Sequence, residues 1–166
     1  MLRHQIKLHF IVFIWGFTGV FGALISLPSD SLVWYRMLIA TAGIAAFLKW
    51  ENTSFRIPNS DLLKFLSNGL LVAVHWIFFF EAIKVSTVSV ALVCFASTSL
   101  FAAFLEPFFF RRKIIGYEII FGLIAVVGLY MIFEFETKYK MGIFFSLFSA
   151  FVGALFTVFN GGFMAK

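Results

Sequence analysis

Six long apolar runs occupy most of this chain, at about 8–27, 32–49, 63–83, 87–110, 115–133 and 141–163. At ~1.5 Å of rise per residue, a helix needs roughly 20 such residues to cross the hydrocarbon core of a bilayer. The runs and their short connectors use up the 166 residues. They predict an all-α polytopic transmembrane helix bundle of six spans.

Composition points the same way. The chain is 62% hydrophobic and 13% charged, against ~25% charged for a soluble domain. With a mean hydropathy of +1.02, it has too little polar surface to cover a water-soluble particle, so the lipid bilayer is its first expected partner. The net charge of +5 is no nucleic-acid signature. The basic residues sit in short loops at helix ends and never interleave with an exposed aromatic platform. Cys94 is the single cysteine. It rules out an intramolecular disulfide and offers no metal-ligand cluster, so neither metal nor cofactor is expected. The start, MLRHQIK and an apolar run, has no A-x-A cleavage site after it and reads as a retained first span.

Orientation follows from the basic residues. With the N-terminus inside, nine of the 13 Lys and Arg fall on that side, among them Lys7, Lys49, Arg56, Arg111, Arg112 and Lys166. The excess predicts a cytoplasmic N-terminus in a cell inner membrane.

The first and last runs share a small-residue core, VFGAL at 20–24 and FVGAL at 151–155, with five helices between their starting points. Copying a unit with an odd number of spans reverses its orientation, which predicts an inverted repeat. Residues 1–137 would form a five-helix unit, and 138–166 the first helix of a second, incomplete one. Small residues also recur at helical spacing: Gly19, Gly22 and Ser26; Ala91, Cys94, Thr98 and Ala102; Ser146, Ser149, Gly153, Thr157 and Asn160. Such stripes let backbones approach closely in lipid, or leave room for a ligand.

Four segments carry a family resemblance: WGFTGVFGALIS (15–26), WYRMLIA (34–40), HWIFFFEAIKVSTVSVALV (75–93) and FLEPFFFRRKIIGYEIIFGLIAVVGLYMI (104–132). They resemble the EamA repeat of the drug/metabolite transporter superfamily. The resemblance implies a secondary transporter. Usual members have ten spans in two inverted five-span repeats and export or exchange small metabolites, often amino acids or related compounds. Two departures stand out. The family often carries a proline midway along its fourth helix, where this chain reads Ser97-Thr98-Ser99. Four further helices are also absent, which implies a homodimer or a missing second half. The alternative is a non-transporting membrane subunit or truncated remnant that only associates with partner helices.

Five residues are candidates for binding a small-molecule substrate: Trp15, Arg36, His75, Trp76 and Thr98. His75 lies deep in the third run, and an ionisable side chain within a span is a functional candidate by default. Its other reading is a neutral imidazole bonded to a neighbouring helix. The Arg36 guanidinium offers a fork of donors that fits a carboxylate or phosphate. It could equally anchor its helix by reaching to the headgroups. The resemblance places it at the family's arginine in this helix. Trp15 and Trp76 would wall a cavity or fill space between helices. Thr98 counts to about the depth of His75. No enzyme is expected, since H-E-x-x-H, G-x-S-x-G and P-loop patterns are all missing.

Overall fold

A computed structural model describes residues 2–53, 58–113, 115–135 and 137–164. Arg56 and Lys166, which enter the charge reading, lie outside the described residues. The helices are α1 (Leu2–Leu24), α2 (Ser29–Trp50), α3 (Asn59–Val85), α4 (Val88–Phe95), α5 (Thr98–Phe110), α6 (Gly116–Phe135) and α7 (Lys140–Met164), the last preceded by a 3₁₀ turn at Thr137–Tyr139. No strand occurs among the described residues. Helix is the open-ended structure that satisfies its own backbone in lipid. Five stretches are long and apolar enough to cross a membrane: His4–Leu24, Ser29–Trp50, Asn59–Val85, Val88–Phe110 and Lys140–Phe163. The fifth run yields a shorter apolar stretch, Gly116–Met131, within α6.

Local chemistry sets the helix ends. α2 and α3 each begin just after a proline, Pro28 and Pro58. Proline's missing N–H costs nothing there, because the first helical N–H groups have no intrahelical partner. Asp30 and Asp61 sit in these first turns, where the helix dipole favours negative charge. Pro58 holds the N-cap position of α3 without any side-chain cap bond. Thr87 does cap α4, its hydroxyl accepting from the Val90 N–H at 3.1 Å.

The fourth apolar run is broken in two at Ala96-Ser97. Three consecutive hydroxyls explain it. Ser97, Thr98 and Ser99 donate to the carbonyls of Cys94, Phe95 and Ala96, three residues back, at 2.7, 2.6 and 3.0 Å. The Ser97 and Ser99 N–H groups also bond three residues back rather than four. Hydroxyls that capture backbone carbonyls bend helices. The break falls where the family resemblance expects a proline.

α7 is the centre of the bundle. It packs most extensively on α3, then on α5 and α4. Partner residues give its direction. Phe78 meets Phe148 while Asn68 meets Asn160, so α7 runs antiparallel to α3. Phe101 meets Phe151 and Phe109 meets Phe159, so it runs parallel to α5. The glycines of the two similar motifs both press on α3. A Cβ at Gly22 would land on the Phe80 ring, and one at Gly153 would lie 3.2 Å from Nδ1 of His75. α6 leans mainly on α5.

Candidate functional site

His75 stands on the face of α3 that α7 covers and is 7% exposed. Three aromatic rings surround its imidazole: Trp76 at 4.9 Å between centroids, Phe95 at 5.2 Å and Phe79 at 6.3 Å. α7 supplies the polar partners. Nδ1 lies 3.0 Å from the Ser149 carbonyl and 2.9 Å from the Ser149 hydroxyl. The same hydroxyl donates to the His75 backbone carbonyl at 2.9 Å. This pattern assigns the tautomer. A carbonyl only accepts, and the serine proton is already donated, so Nδ1 carries the hydrogen. Nε2 is then left with its lone pair, and it has no hydrogen-bond partner among the described residues.

Arg36 comes to the same cluster from α2. Its guanidinium carbon lies 3.8 Å from the centroid of the Trp76 ring and 5.8 Å from that of Phe80. Trp76 and Phe80 stack with 5.6 Å between centroids and 23° between planes. A cation over an indole face is attracted by the ring quadrupole. Arg36, Trp76 and His75 thus form one chain of contacts running from α2 into the α3–α7 interface. Arg36 also lines a cavity of about 560 Å³ between α1 and α2, closed on the α3 side by Phe80.

The other two candidates are placed differently. The Thr98 hydroxyl donates to the backbone carbonyl of Phe95 at 2.6 Å, the residue whose ring packs on His75. Trp15 is 70% exposed on α1 and packs on none of these rings. The structure therefore joins Arg36, His75 and Trp76, holds Thr98 one residue removed, and leaves Trp15 on the periphery.

Glu81 and Lys84 lie one turn apart on α3 but do not pair with each other. Glu81 instead accepts from the Ser29 hydroxyl at 2.7 Å, and the Lys84 amine donates to the Leu27 carbonyl. Both bonds tie α3 to the α1–α2 connection. At the other end, Arg112 bridges Glu106 at 3.0 Å and Glu118 at 2.9 Å. Hydrogen bonds donated to Glu118 and then to Glu106 hold the guanidinium still more firmly protonated than usual. That clamp fixes the α5–α6 corner.

Ser149, Gly153 and Phe95 complete the histidine nest, and sequence reasoning missed all three as site residues. The signal for two of them lay in the small-residue stripe of the last run, where Ser149 and Gly153 share a face one turn apart.

Among the compared proteins, one from Bacillus subtilis (strain 168), described as "Uncharacterized transporter YxxF", is 27% identical over 111 residues. That match covers 66% of this chain and 36% of the relative's length. No solved structure matches the chain. The EamA-like transporter family matches residues 6–134, from the first turns of α1 through almost all of α6. With its stacked apolar helices, this is a multi-pass membrane protein, and it belongs to the EamA-like transporter family.

Proposed function

We infer that the chain supplies part of a secondary transporter that exports or exchanges a small metabolite, an amino acid or a related compound, across a cell inner membrane. The observation that supports it is the contact chain Arg36–Trp76–His75. It places a guanidinium, an indole and an imidazole with a free Nε2 in one intramembrane cluster. Such groups are costly in lipid and mark transport pathways. Arg36 would hold an acidic group, Trp76 would pack against the substrate body, and Nε2 of His75 would accept a hydrogen bond from it or take up a proton. Residues 1–137 act in this reading as one repeat and α7 as the opening helix of a second. The translocation path is completed by a second copy or by further helices.

The test follows efflux from cells that carry the gene in its natural reading frame and from cells that lack it. Both are loaded with a panel of radiolabelled amino acids and small organic acids. At least one compound should leave faster from cells with the gene, and the difference should disappear in Arg36→Gln. Identical efflux of the whole panel, with the protein verified in the membrane, favours the reading as a non-transporting subunit.

A further inference from the structure

We propose that the cavity between α1 and α2 is a binding site for an organic monoanion with an apolar body, its negative group held by Arg36. The proposal names a substrate class for the transporter reading above and rests on it.

The first argument is the position of the guanidinium. Arg36 is seven residues into α2, about 10 Å along the axis from its outer end at Ser29. Anchoring would draw the side chain outward to the headgroups. Its guanidinium instead lies 3.8 Å from the centroid of the Trp76 ring, itself nine residues or about 14 Å in from the end of α3. The charge is therefore held over an aromatic face.

The second argument is what surrounds that charge. Among the described residues Arg36 has neither a salt bridge nor a hydrogen bond. Its contacts are the two rings, which face the cation but cannot accept from five N–H donors arranged as a fork. A planar anion such as a carboxylate meets that fork with two parallel hydrogen bonds.

The third argument is the rest of the cavity. Its walls include Phe21, Leu32, Ile39 and Phe80, and its only other polar side chains are Thr18 and Tyr35. Its volume is about 560 Å³, and it opens sideways between α1 and α2, where Phe21, Tyr35 and Ile39 are exposed, so an apolar body can enter from the bilayer side. There is one cation and no carboxylate in the lining. A monoanion is neutralised there, whereas a zwitterion's ammonium would enter an apolar space without a counter-charge. The acids Asp30 and Glu81 line a different cavity, at the outer ends of α2 and α3, where Glu81 is already bonded to Ser29. The cavity therefore selects an acid lacking the amino group over the matching amino acid.

An anionic head on an apolar body describes both a water-borne organic acid and an anionic lipid, and the experiment separates them. The full chain is reconstituted in phosphatidylcholine nanodiscs. Binding is read from tryptophan fluorescence, to which Trp76 beneath the guanidinium contributes. Three probes share one carbon skeleton: 3-phenylpropanoate, phenylalanine and 3-phenylpropanol. The propanoate should bind saturably and at least tenfold more tightly than either of the others. Arg36→Gln should abolish that preference and Arg36→Lys should retain part of it, with helical content matched to the parent by circular dichroism. Equal binding of all three probes by the parent overturns the proposal without any variant, and so does an unchanged preference in a folded Arg36→Gln protein. Repeating the titration in phosphatidylglycerol nanodiscs assigns the source. Weakened propanoate binding there identifies a lipid headgroup as the anion that fills the site, and unchanged binding identifies the water-borne acid. Binding is measured without flux, so its failure leaves the transport reading standing, and failed efflux leaves a positive binding result standing.

Discussion

His75 couples two helices through one ring nitrogen and offers the other to the bundle. Its Nδ1–H is committed to Ser149 on α7, and Gly153 leaves just enough space for the ring to sit there. Protonation at Nε2 would put a charge among Trp76, Phe79 and Phe95, with the Arg36 guanidinium nearby on Trp76. A charge in such surroundings is penalised unless an anion accompanies it, which would tie substrate affinity to pH. Losing one partner of a buried polar contact costs about 1–3 kcal/mol, and roughly 1.4 kcal/mol corresponds to a factor of ten. His75→Ala in the full assembly is therefore expected to slow transport about tenfold or more and to flatten its pH profile, while membrane insertion stays normal. Flux measured across a pH series checks this. Parent-like flux at every pH from both His75→Ala and Arg36→Lys would make His75 a packing residue and Arg36 an anchor.

At the scale of helices, close approach is the organising force, since lipid tails are as apolar as the side chains they contact. Gly22 and Gly16 lie on the same helix and make a controlled comparison. A Cβ at Gly22 meets the Phe80 ring, whereas nothing lies within 4 Å of one at Gly16. Forcing an extra carbon into a packed contact costs about 1–3 kcal/mol. Gly22→Ala should lose stability in that range and Gly16→Ala should lose none, measured by denaturation in mild detergent. Equal effects from the two substitutions would mean that α1 does not pack on α3 through Gly22. The same scale shows why some of this fold was legible in the sequence and some was not. The spans were legible because backbone satisfaction in lipid leaves helix as the outcome of any long apolar run. The Ala96-Ser97 break was not, because three hydroxyls barely alter the hydropathy of that run and act only through geometry. Glu81 and Lys84 bond to Ser29 and Leu27 rather than to each other, because pairing one turn apart on a helix competes with partners that the sequence does not place nearby. Of the site, the ionisable residues could be named from burial cost alone. Their grouping, and the part played by Ser149, depended on which face of α7 meets α3.

For the molecule as a whole, orientation and assembly are the open physical variables. The charge bias predicts that the connections after α2 and α5 face the cytoplasm together with the N-terminus. Asn52 lies in the first of these and is exposed, and Cys94 is fully buried. A single cysteine at position 52 in a Cys94-free background should resist impermeant reagents applied to intact cells and react after lysis. Labelling from outside would invert the topology. Assembly is argued from surface area. A folded monomer of 18.9 kDa is expected to expose about 8,300 Å², whereas this chain exposes 12,160 Å². The excess, on the order of 4,000 Å² on one chain, is larger than one partner's share of an obligate interface, roughly 1,000–2,500 Å². Its source is visible in the packing. Burial concentrates along α3, α4 and α7, while α1, α2 and α6 lie open along most of their length. Lipid can cover the apolar part of that surface, but its tails cannot satisfy the Arg36 guanidinium, which has no salt bridge or hydrogen bond among the described residues. The 166-residue chain is therefore expected to associate into dimers or larger species in mild detergent, read by light scattering on a sizing column, and to transport poorly as a monomer. Robust uptake into liposomes by a demonstrably monomeric chain would show that these helices alone enclose a complete path.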